Sequence, residues 1–412
     1  MTNTLTCRHC NTPLTQSLVD LGLSPLANSY VPLENKDLPC ATYPLHARVC
    51  SNCYLVQVED AVPKDKIFSD EYAYFSSFSD SWLAHCKTYV NEMTDRLALT
   101  KDDLVIEIAS NDGYLLQYFV EQNIPVLGIE PAANVAAVAQ KNGVETRVDF
   151  FTNALASSLV DEGIQPSLIC SANVLAHVPN INDFVQGIAT LLTGDAVYTV
   201  EFPHLLKLIE NVQFDTIYHE HYTYLSLTSV EKIFESSGLR VFDVQPQTTH
   251  GGSLRVFACQ QTASYNQSPA VASVREQEHR AGLTSELGYQ GFEQKVRAVR
   301  AGLLEFLNQA KTDGKTVAAY GAAAKGNTLL NYCDVNTDLI SYCVDRNPAK
   351  QNTLLPGSHI PVFNVDQLRK ERPDYVLILP WNLKTEIAAQ LTDLADQGSK
   401  FVTPVPAIEI FS

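Results

Sequence analysis

The stretch DLVIEIASNDGYLLQYF, residues Asp103 to Phe119, consists of a short apolar strand, a Ser-Asn-Asp-Gly turn and the apolar start of a helix. About twenty residues later, VLGIEP ends a second apolar strand with Glu130. In a doubly wound sheet such a unit binds a nucleotide, because the glycine lets the backbone approach the ligand and the carboxylate accepts the ribose hydroxyls. The sequence therefore predicts an α/β fold with a Rossmann-like domain at its centre.

The turn after the first strand reads ExASNDG and not the GxGxxG of dinucleotide-binding proteins. A pyrophosphate requires a glycine-rich cradle at a helix N-terminus, whereas a sulfonium nucleoside has no pyrophosphate. Acidic and amide side chains also suit the ammonium group of its amino acid part. The turn therefore favours S-adenosylmethionine over NAD.

Two further segments continue the predicted sheet, each as an apolar strand followed by a polar loop. They are SLICSANVLAHVPNINDF, residues Ser167 to Phe184, and GDAVYTVEFPH, residues Gly194 to His204. Ligands of such sheets bind at the carboxyl ends of the strands. We therefore expect Asn173 to lie at the cofactor site and His177 to lie in the pocket, although a loop histidine with satisfied hydrogen bonds is the simpler interpretation.

Four of the ten cysteines form two CxxC knuckles, Cys7 with Cys10 and Cys50 with Cys53. Two paired knuckles are typical of a zinc ribbon, in which four thiolates surround one ion and leave no open position. A closed site of this kind is structural, and a redox CxxC would be single and open a helix. His9 and Cys40 are near enough in sequence to be alternative ligands, but neither completes a paired knuckle.

The C-terminal part contains a second strand-turn-helix-strand pattern. TVAAYGAAAKGNTLL is followed by LISYCVDRNPAKQ, whose strand ends at Asp345, and then by the strand YVLILPWN. This indicates another Rossmann-like domain, in which Lys325 suggests that the turn contacts phosphate. Lys325, Asn327 and Arg346 are the predicted contacts to a diphosphate or nucleoside, and the alternative is a duplicated domain kept for packing.

Length and charge limit the remaining possibilities. The 412 residues exceed what one hydrophobic core usually serves and indicate two or three domains. A net charge of −17 makes nucleic acid and anionic membranes poor partners. The N-terminus lacks the pattern of a secretory signal and no stretch approaches the length of a membrane span, so we expect a cytoplasmic protein with reduced thiols.

Another unusual segment is IYHEHYTYLSL, residues Ile217 to Leu227. The metalloprotease motif HExxH would require a histidine at position 223, where this chain has Thr223. Upstream, DEYAYFSSFSDSW is dense in aromatic residues and serines, and an extended conformation would place Tyr72 and Tyr74 on one side. Such aromatics usually belong to a core, so a role of Tyr72 at a ligand is the less usual alternative.

These segments together resemble the bacterial C-methyltransferases that act on nucleotide-linked 4-keto-deoxysugars. The resemblance covers essentially the whole chain and rests on the paired CxxC start, DEYAYFSSFSDSW, EIASNDGYLL, GIEPAANV, NVLAHVPN, IYHEHYTYLSL, HGGSLRVF and YGAAAKGNTLLNYC. It implies a zinc-binding module at residues 1–66, an S-adenosylmethionine domain at 67–245 and a Rossmann-like domain at 246–412 that helps to hold the sugar nucleotide. A single motif of this kind can arise by chance, but eight in the same order are specific to the family.

The resemblance also implies roles for individual residues. It places the active site at Tyr218, Glu220 and His221, and we expect His221 to remove the sugar C-3 proton, since histidine is the natural base at neutral pH. Tyr218, Tyr72 and His177 are the candidate donors to the enolate oxygen, and His219 is expected to support the packing. The predicted cofactor contacts are Glu107, Ala109, Asn111, Gly113, Glu130, Pro131 and Asn173, and His250 joins the predicted substrate contacts.

Three alternatives remain open at this stage. The target carbon is C-5 instead of C-3, the chain is a non-catalytic relative that binds a sugar nucleotide, or it is a zinc-dependent hydrolase. The hydrolase lacks a third ligand at a recognisable spacing. The sequence leaves open the nucleotide, the deoxysugar and the oligomeric state, with which a monomer is compatible.

Overall fold

The structure is a computed structural model that describes residues 5–62 and 76–412 and arranges them around three β-sheets. The first sheet has the order β1 (Gln16–Pro25), β3 (Thr42–Val49), β4 (Val56–Val58), β10 (Thr223–Tyr224). The second has the order β11 (Leu239–Gln247), β12 (Ser253–Gln260), β9 (Val197–Pro203), β8 (Leu168–Ala172), β5 (Val105–Ile108), β6 (Val126–Ile129), β7 (Thr146–Arg147). The third has the order β19 (Glu409–Phe411), β18 (Lys400–Thr403), β17 (Tyr375–Ile378), β13 (Val317–Tyr320), β14 (Cys343–Val344), β16 (Pro361–Phe363), β15 (Thr353–Leu354), β2 (Val31–Pro32).

The described residues also form helices between these strands. They are α1 (Asp80–Leu97), α2 (Leu116–Glu121), α3 (Ala133–Lys141), α4 (Asn153–Asp161), α5 (Ile181–Leu191), α6 (Leu205–Glu210), α7 (Leu227–Glu235), α8 (Pro269–Arg280), α9 (Phe292–Thr312), α10 (Ala324–Tyr332), α11 (Asp366–Glu371), α12 (Lys384–Gln390) and α13 (Thr392–Asp396). None of them is long and apolar enough to span a membrane.

The second sheet confirms the predicted Rossmann-like centre of the chain. Its strands β6, β5, β8 and β9 run parallel and are almost wholly buried, which explains why their sequences are continuous apolar runs. The chain moves from β5 to one side through β6 and β7, then crosses to β8 on the other side. The direction of winding reverses between β5 and β8, so the crevice at their carboxyl ends is the expected ligand position.

The division of the chain into 1–66, 67–245 and 246–412 remains a prediction, and the central sheet itself extends past residue 245. Strand β12 runs antiparallel between β9 and β11 and completes the sheet. Residues 253–259 of β12 are as buried as the parallel strands, so the core of this sheet continues to Cys259.

The N-terminal module is joined to both other parts of the chain by backbone hydrogen bonds. Strand β10, directly after the YHEH residues, pairs with β4 of the module. Strand β2 pairs with β15 and so becomes the edge of the third sheet. These two pairings fix the module between the central and C-terminal sheets.

The third sheet repeats the doubly wound arrangement, as the sequence predicts. Strands β14, β13, β17 and β18 run parallel, and winding reverses between β13 and β17. Two glycines permit close packing at this point: a Cβ at Gly321 would lie 2.5 Å from Pro380, and one at Gly326 would lie 2.7 Å from Leu379. The small residues of this turn therefore allow the segments that follow β13 and β17 to pack closely together.

A buried carboxylate fixes the helix that follows IYHEHYTYLSL. Glu278 of α8 is fully buried and accepts hydrogen bonds from the backbone N–H groups of Leu227 and Thr228 at 2.6 and 2.9 Å. The ring of His204, directly after β9, lies 2.7 Å from the same carboxylate. The first amides of a helix attract negative charge, so Glu278 binds α7 to the end of β9. His204 therefore takes part in this structural contact.

We expect Glu278→Ala to lower the free energy of unfolding by about 3–5 kcal/mol, because the helix amides and His204 lose a buried charged partner. Burial opposes the ionised form, yet His204 and Thr228 lower the pKa of Glu278 below its ordinary value of 4.5. The stabilisation is therefore full above that value and is lost as the pH falls through the lower pKa of the folded state. Urea unfolding at neutral and acidic pH measures both effects.

Glu276→Ala is the matched control, because Glu276 lies on the same helix and pairs with Arg280 on the surface. This exposed pair is worth below about 1 kcal/mol. Equal unfolding midpoints for the two variants would contradict the assigned role of Glu278.

Candidate functional site

The turn after β5 has the backbone shape of a glycine-rich loop without its glycines. Ala109, Asn111 and Gly113 all have left-handed backbone angles, with φ of 55°, 48° and 82°. Such angles are costly for alanine and easier for asparagine and glycine. The two residues that depart from the common glycine pattern thus adopt the conformation that glycine would adopt.

Hydrogen bonds hold this turn against the second strand. Glu130, directly after β6, accepts from the backbone N–H of Asn111 at 3.0 Å and from that of Ala132, the residue after Pro131, at 2.8 Å. The Asn111 side-chain oxygen accepts from the backbone N–H of Ser76 at 2.9 Å. The carboxylate therefore connects the two loops that meet at the crevice.

Several polar atoms at the crevice are buried without a hydrogen-bond partner among the described residues. They are Ser110 Oγ, Asp112 Oδ1 and Asn173 Oδ1. Glu107 is fully buried below the turn, and burial raises the pKa of its carboxyl well above the ordinary value, against a hydrogen bond with Tyr114. Buried polar atoms normally have partners, so these atoms fit a polar ligand such as S-adenosylmethionine.

The crevice continues to the end of β8, where Asn173 has a left-handed φ of 59° and donates its backbone N–H to the carbonyl of Glu201 at 2.8 Å. Burial opposes ionisation of Glu201, but hydrogen bonds with His85 and the charge of Arg255 lower its pKa to about 2. The carboxylate also accepts from the Thr249 hydroxyl at 2.9 Å. The Glu201 carboxylate thereby fixes the residue before His250.

The residues Tyr218, His221 and Thr216 form a hydrogen-bonded chain. The His221 Nδ1–H donates to the Thr216 carbonyl at 2.9 Å, which leaves Nε2 as the acceptor for the Tyr218 hydroxyl at 2.8 Å. The His177 ring meets the His221 ring edge-on with centroids 4.6 Å apart. The structure thus brings together three of the predicted catalytic residues, whereas Tyr72 lies outside the described residues.

Burial keeps these imidazoles uncharged at neutral pH. It lowers the pKa of His221 well below 6.5, helped by His177, Lys325 and His250, and it lowers the pKa of His177 to about 4. A buried imidazole loses hydration in its charged form, which is why burial depresses its pKa. His221 is therefore neutral at physiological pH, and its Nε2 lone pair is the one that accepts from the Tyr218 hydroxyl.

Glu220 faces away from the imidazoles and toward the N-terminal module. Its carboxylate accepts from the Asn28 side-chain amide at 2.9 and 2.8 Å. Burial raises its pKa to about 7, while Asn28 and the charge of Lys350 oppose this rise. His219 instead lies 3.1 Å from the Pro44 carbonyl, to which its ring N–H donates, as a packing role predicts.

The predicted substrate contacts fall into three places. His250 and Lys325 both lie near Trp381, since a Cβ at Gly251 would lie 2.5 Å from its ring and the Lys325 ammonium lies 4.7 Å from the ring centre, and His250 has a left-handed φ of 55°. Asn327 is buried and its amide donates to the Ala27 carbonyl at 2.6 Å. Arg346 is exposed and instead lines a separate cavity of about 380 Å³ together with Tyr320 and Arg369.

Sequence reasoning missed several residues that complete the site. Asn28 supports Glu220, and the indole N–H of Trp381 donates to the buried carboxylate of Asp215 at 2.7 Å. No local motif marks these residues, because each acts on a partner from a distant segment. Trp381 follows an apolar strand, as His177 does. This pattern was the one signal in the sequence that could have identified Trp381 as a site residue.

The four knuckle cysteines form the predicted metal centre. Their sulfur atoms all lie within 4.8 Å of one another, with Cys7 to Cys53 at 3.5 Å and Cys10 to Cys50 at 3.4 Å. Thiolates at ~2.3 Å from a tetrahedral zinc ion lie ~3.8 Å apart, so the sulfur arrangement fits the ion. The alternatives lie elsewhere, since His9 contacts Asn182 at 2.8 Å and Cys40 contacts His359 at 3.3 Å.

Three family profiles match successive parts of the chain. They describe a zinc binding domain at residues 7–68, a methyltransferase domain at 82–244 and a C-methyltransferase C-terminal domain at 248–406. Over 406 residues the chain is 36% identical to C-methyltransferase NovU of Streptomyces niveus, covering 98% of this chain and 96% of that protein.

Solved structures of S-adenosylmethionine-dependent methyltransferases match less closely. The one from Clostridium acetobutylicum is 8% identical with a TM-score of 0.35 and covers 43% of this chain and 92% of its own. The one from Archaeoglobus fulgidus is 11% identical with a TM-score of 0.35 and covers 42% of this chain and 93% of its own.

We expect the purified protein to contain about one zinc ion per chain, and Cys50→Ser to reduce both zinc content and the yield of folded protein, because the site closes on folding. Elemental analysis and thermal unfolding measure the two effects. Cys40→Ser is the control and should leave zinc at the wild-type level. Normal zinc and stability in Cys50→Ser would exclude this ligand set.

Proposed function

The chain belongs to the sugar C-methyltransferase family, and on that premise we propose that it transfers a methyl group to C-3 of a nucleotide-linked 4-keto-deoxysugar. It is an S-adenosylmethionine-dependent C-methyltransferase. The observation that carries the choice of substrate class is the Tyr218–His221–Thr216 chain of hydrogen bonds. It supplies a base and a neighbouring proton donor, which are the two groups needed beside a ketone.

The base is His221. Its Nδ1 proton is held by the Thr216 carbonyl, so its lone pair lies on Nε2, where it accepts the proton from the carbon next to the ketone. The Tyr218 oxygen lies 2.8 Å from the same nitrogen. A base and a donor at that separation match the adjacent C–H and C=O groups of a ketone, so Tyr218 donates to the oxygen as charge develops there.

S-adenosylmethionine, when bound, supplies a methyl group on a positively charged sulfur. Glu107, Asn111, Glu130 and Asn173 would hold it through the turn after β5 and the ends of β6 and β8, together with the backbone at Ala109, Gly113 and Pro131. The same strand ends lie at the point where winding reverses, between β5 and β8. The acceptor carbon and the methyl donor are therefore presented by one crevice.

The nucleotide half of the substrate occupies the C-terminal domain. Arg346 and Arg369 line the cavity of about 380 Å³ at the carboxyl ends of the third sheet, next to Tyr320. Guanidinium groups bind phosphate oxygens well, and an aromatic ring suits a base. Among the predicted substrate contacts, Arg346 is therefore our candidate for the diphosphate.

We expect His221→Asn to abolish both methyl transfer and the exchange of the acidic carbon-bound proton with solvent deuterium, because the variant retains no base at Nε2. Proton NMR of nucleotide-linked 4-keto-deoxysugars in deuterated buffer measures exchange without the methyl donor. His219→Gln is the control: it keeps an N–H donor for the Pro44 carbonyl and should exchange normally. Full exchange in His221→Asn would assign the proton to another group.

The same NMR spectra separate the remaining alternatives. Exchange and methylation at C-5 would replace C-3 as the target. Binding of S-adenosylmethionine without exchange or turnover on any 4-keto sugar of a broad panel would favour a non-catalytic relative.

The resemblance places Glu220 in the active site, so we propose that its ionised form is required, and we expect Asn28→Ala to move the acidic limb of the pH profile of kcat/KM upward by about one pH unit, because the lost charge-assisted hydrogen bond disfavours ionised Glu220. Of the other groups around Glu220, Lys350 favours its ionisation, whereas Tyr30 and Tyr222 are neutral phenols at this pH. The variant should lose activity at neutral pH and regain it in alkaline buffer. Asn35→Ala, in the same module, should leave the limb in place, and an unmoved limb in Asn28→Ala would show that ionised Glu220 is not required.

A further inference from the structure

Lys325 lies at the crevice of the third sheet, in the position where a doubly wound domain usually binds its ligand. It follows β13, and its neighbours Trp381 and Asn382 follow β17, the two strands between which winding reverses. Its ammonium group donates to the Asn382 side-chain oxygen at 2.8 Å and lies 4.7 Å from the centre of the Trp381 ring. The residues that follow β17 thus hold the lysine in place.

This crevice lies against the segment of the central domain that carries Tyr218 and His221. Lys325 and Thr328 lie three residues apart on one face of α10, and the Thr328 hydroxyl donates to the Ile217 carbonyl at 3.1 Å. Trp381 donates to Asp215, two residues before Ile217. The helix and the indole therefore bring Lys325 to the side of Tyr218 and His221.

Lys325 supplies the positive charge at this place. Of the groups whose charges act on His221, the imidazoles of His177 and His250 have a pKa of about 4, chiefly because they are buried, and are neutral at pH 7. Burial also lowers the pKa of Lys325, but Asp215 opposes this change. Burial raises the pKa of Asp215 to about 6, and the charge of Lys325 and the hydrogen bond from Trp381 oppose this rise.

We propose that Lys325 is a catalytic residue whose ammonium group binds the ketone oxygen of the substrate and stabilises the enolate. The inference rests on the proposed function. When the C–H bond breaks, the proton moves to His221 Nε2, the electron pair forms a carbon–carbon double bond, and the carbonyl π pair moves to oxygen. The ammonium keeps its protons and, with the Tyr218 hydroxyl, provides the two donors that an oxyanion site commonly has.

The donor count of Lys325 agrees with this role. An ammonium group has three N–H donors, and within the described residues Lys325 spends one, on Asn382. Attraction between unit charges is several times stronger in a partly buried site than in water, so the remaining donors act strongly on a developing oxyanion. This assignment differs from the diphosphate contact that the sequence suggests for Lys325.

The test uses Lys325→Met and the double variant Asp215→Asn/Lys325→Met in the full-length protein. The single variant leaves the buried Asp215 carboxylate without its cation and is liable to misfold, whereas the double variant removes both charges and keeps an oxygen for the Trp381 N–H. Deuterium exchange of a 4-keto sugar in the absence of the methyl donor measures enolate formation directly. Lys384→Met is the control, because Lys384 also lies above an aromatic ring, Phe411, but on the surface.

We expect exchange to fall about 100-fold or more in both lysine variants, with binding of S-adenosylmethionine and the melting temperature of the double variant unchanged. Wild-type exchange in the folded double variant would overturn the proposal, since a lysine that only balances Asp215 is dispensable once that charge is removed. Absence of exchange in the wild-type protein with every 4-keto sugar would instead refute the proposed function.

Discussion

Four cysteine thiolates within 4.8 Å of one another repel strongly, and a divalent cation is what allows them to share so small a volume. The rest of the site depends on this attraction. The metal fixes the two knuckles, the knuckles fix strands β3 and β4, and β4 pairs with β10 immediately after the YHEH residues. The same module carries Asn28 to the carboxylate of Glu220. A structural metal at the knuckles would thereby help to position the candidate site.

The segment from Asp215 to Tyr224 is held by all three parts of the chain. The N-terminal module binds it through Asn28 and β4, and the C-terminal domain binds it through Thr328 and Trp381. Each contact involves a buried or partly buried polar group, which tolerates little displacement because an unpaired group is costly there. Side chains that are fixed before the substrate arrives need little reorganisation during reaction, which is the usual origin of electrostatic catalysis.

The comparison of sequence with structure shows which features are local. The strand-turn-helix-acid unit and the paired CxxC knuckles were predictable, because each follows from a short pattern. The sequence placed His177 after a strand end, but only the family resemblance implied that it meets His221. The left-handed angles of Ala109 and Asn111 were not, since neither residue demands them. Asn28, Asp215 and Trp381 were missed because their partners lie far away in sequence. Lys325 was predicted to lie in the turn after β13, but it lies in the first turn of α10, and its surroundings depend on the packing of two domains.

The edge strand β2 has a consequence for how the molecule is made. Its Val31 pairs with Leu354, so the first module obtains its final neighbour only after about 320 more residues have been joined to the chain. Contacts between such distant segments form late, since a long loop must close before they yield any stabilisation. During synthesis the metal-binding module therefore leaves the ribosome before the strand that completes its hydrogen bonds, β15 of the C-terminal domain, has been made. A chain truncated before β15 would leave the backbone groups of β2 without their partner strand.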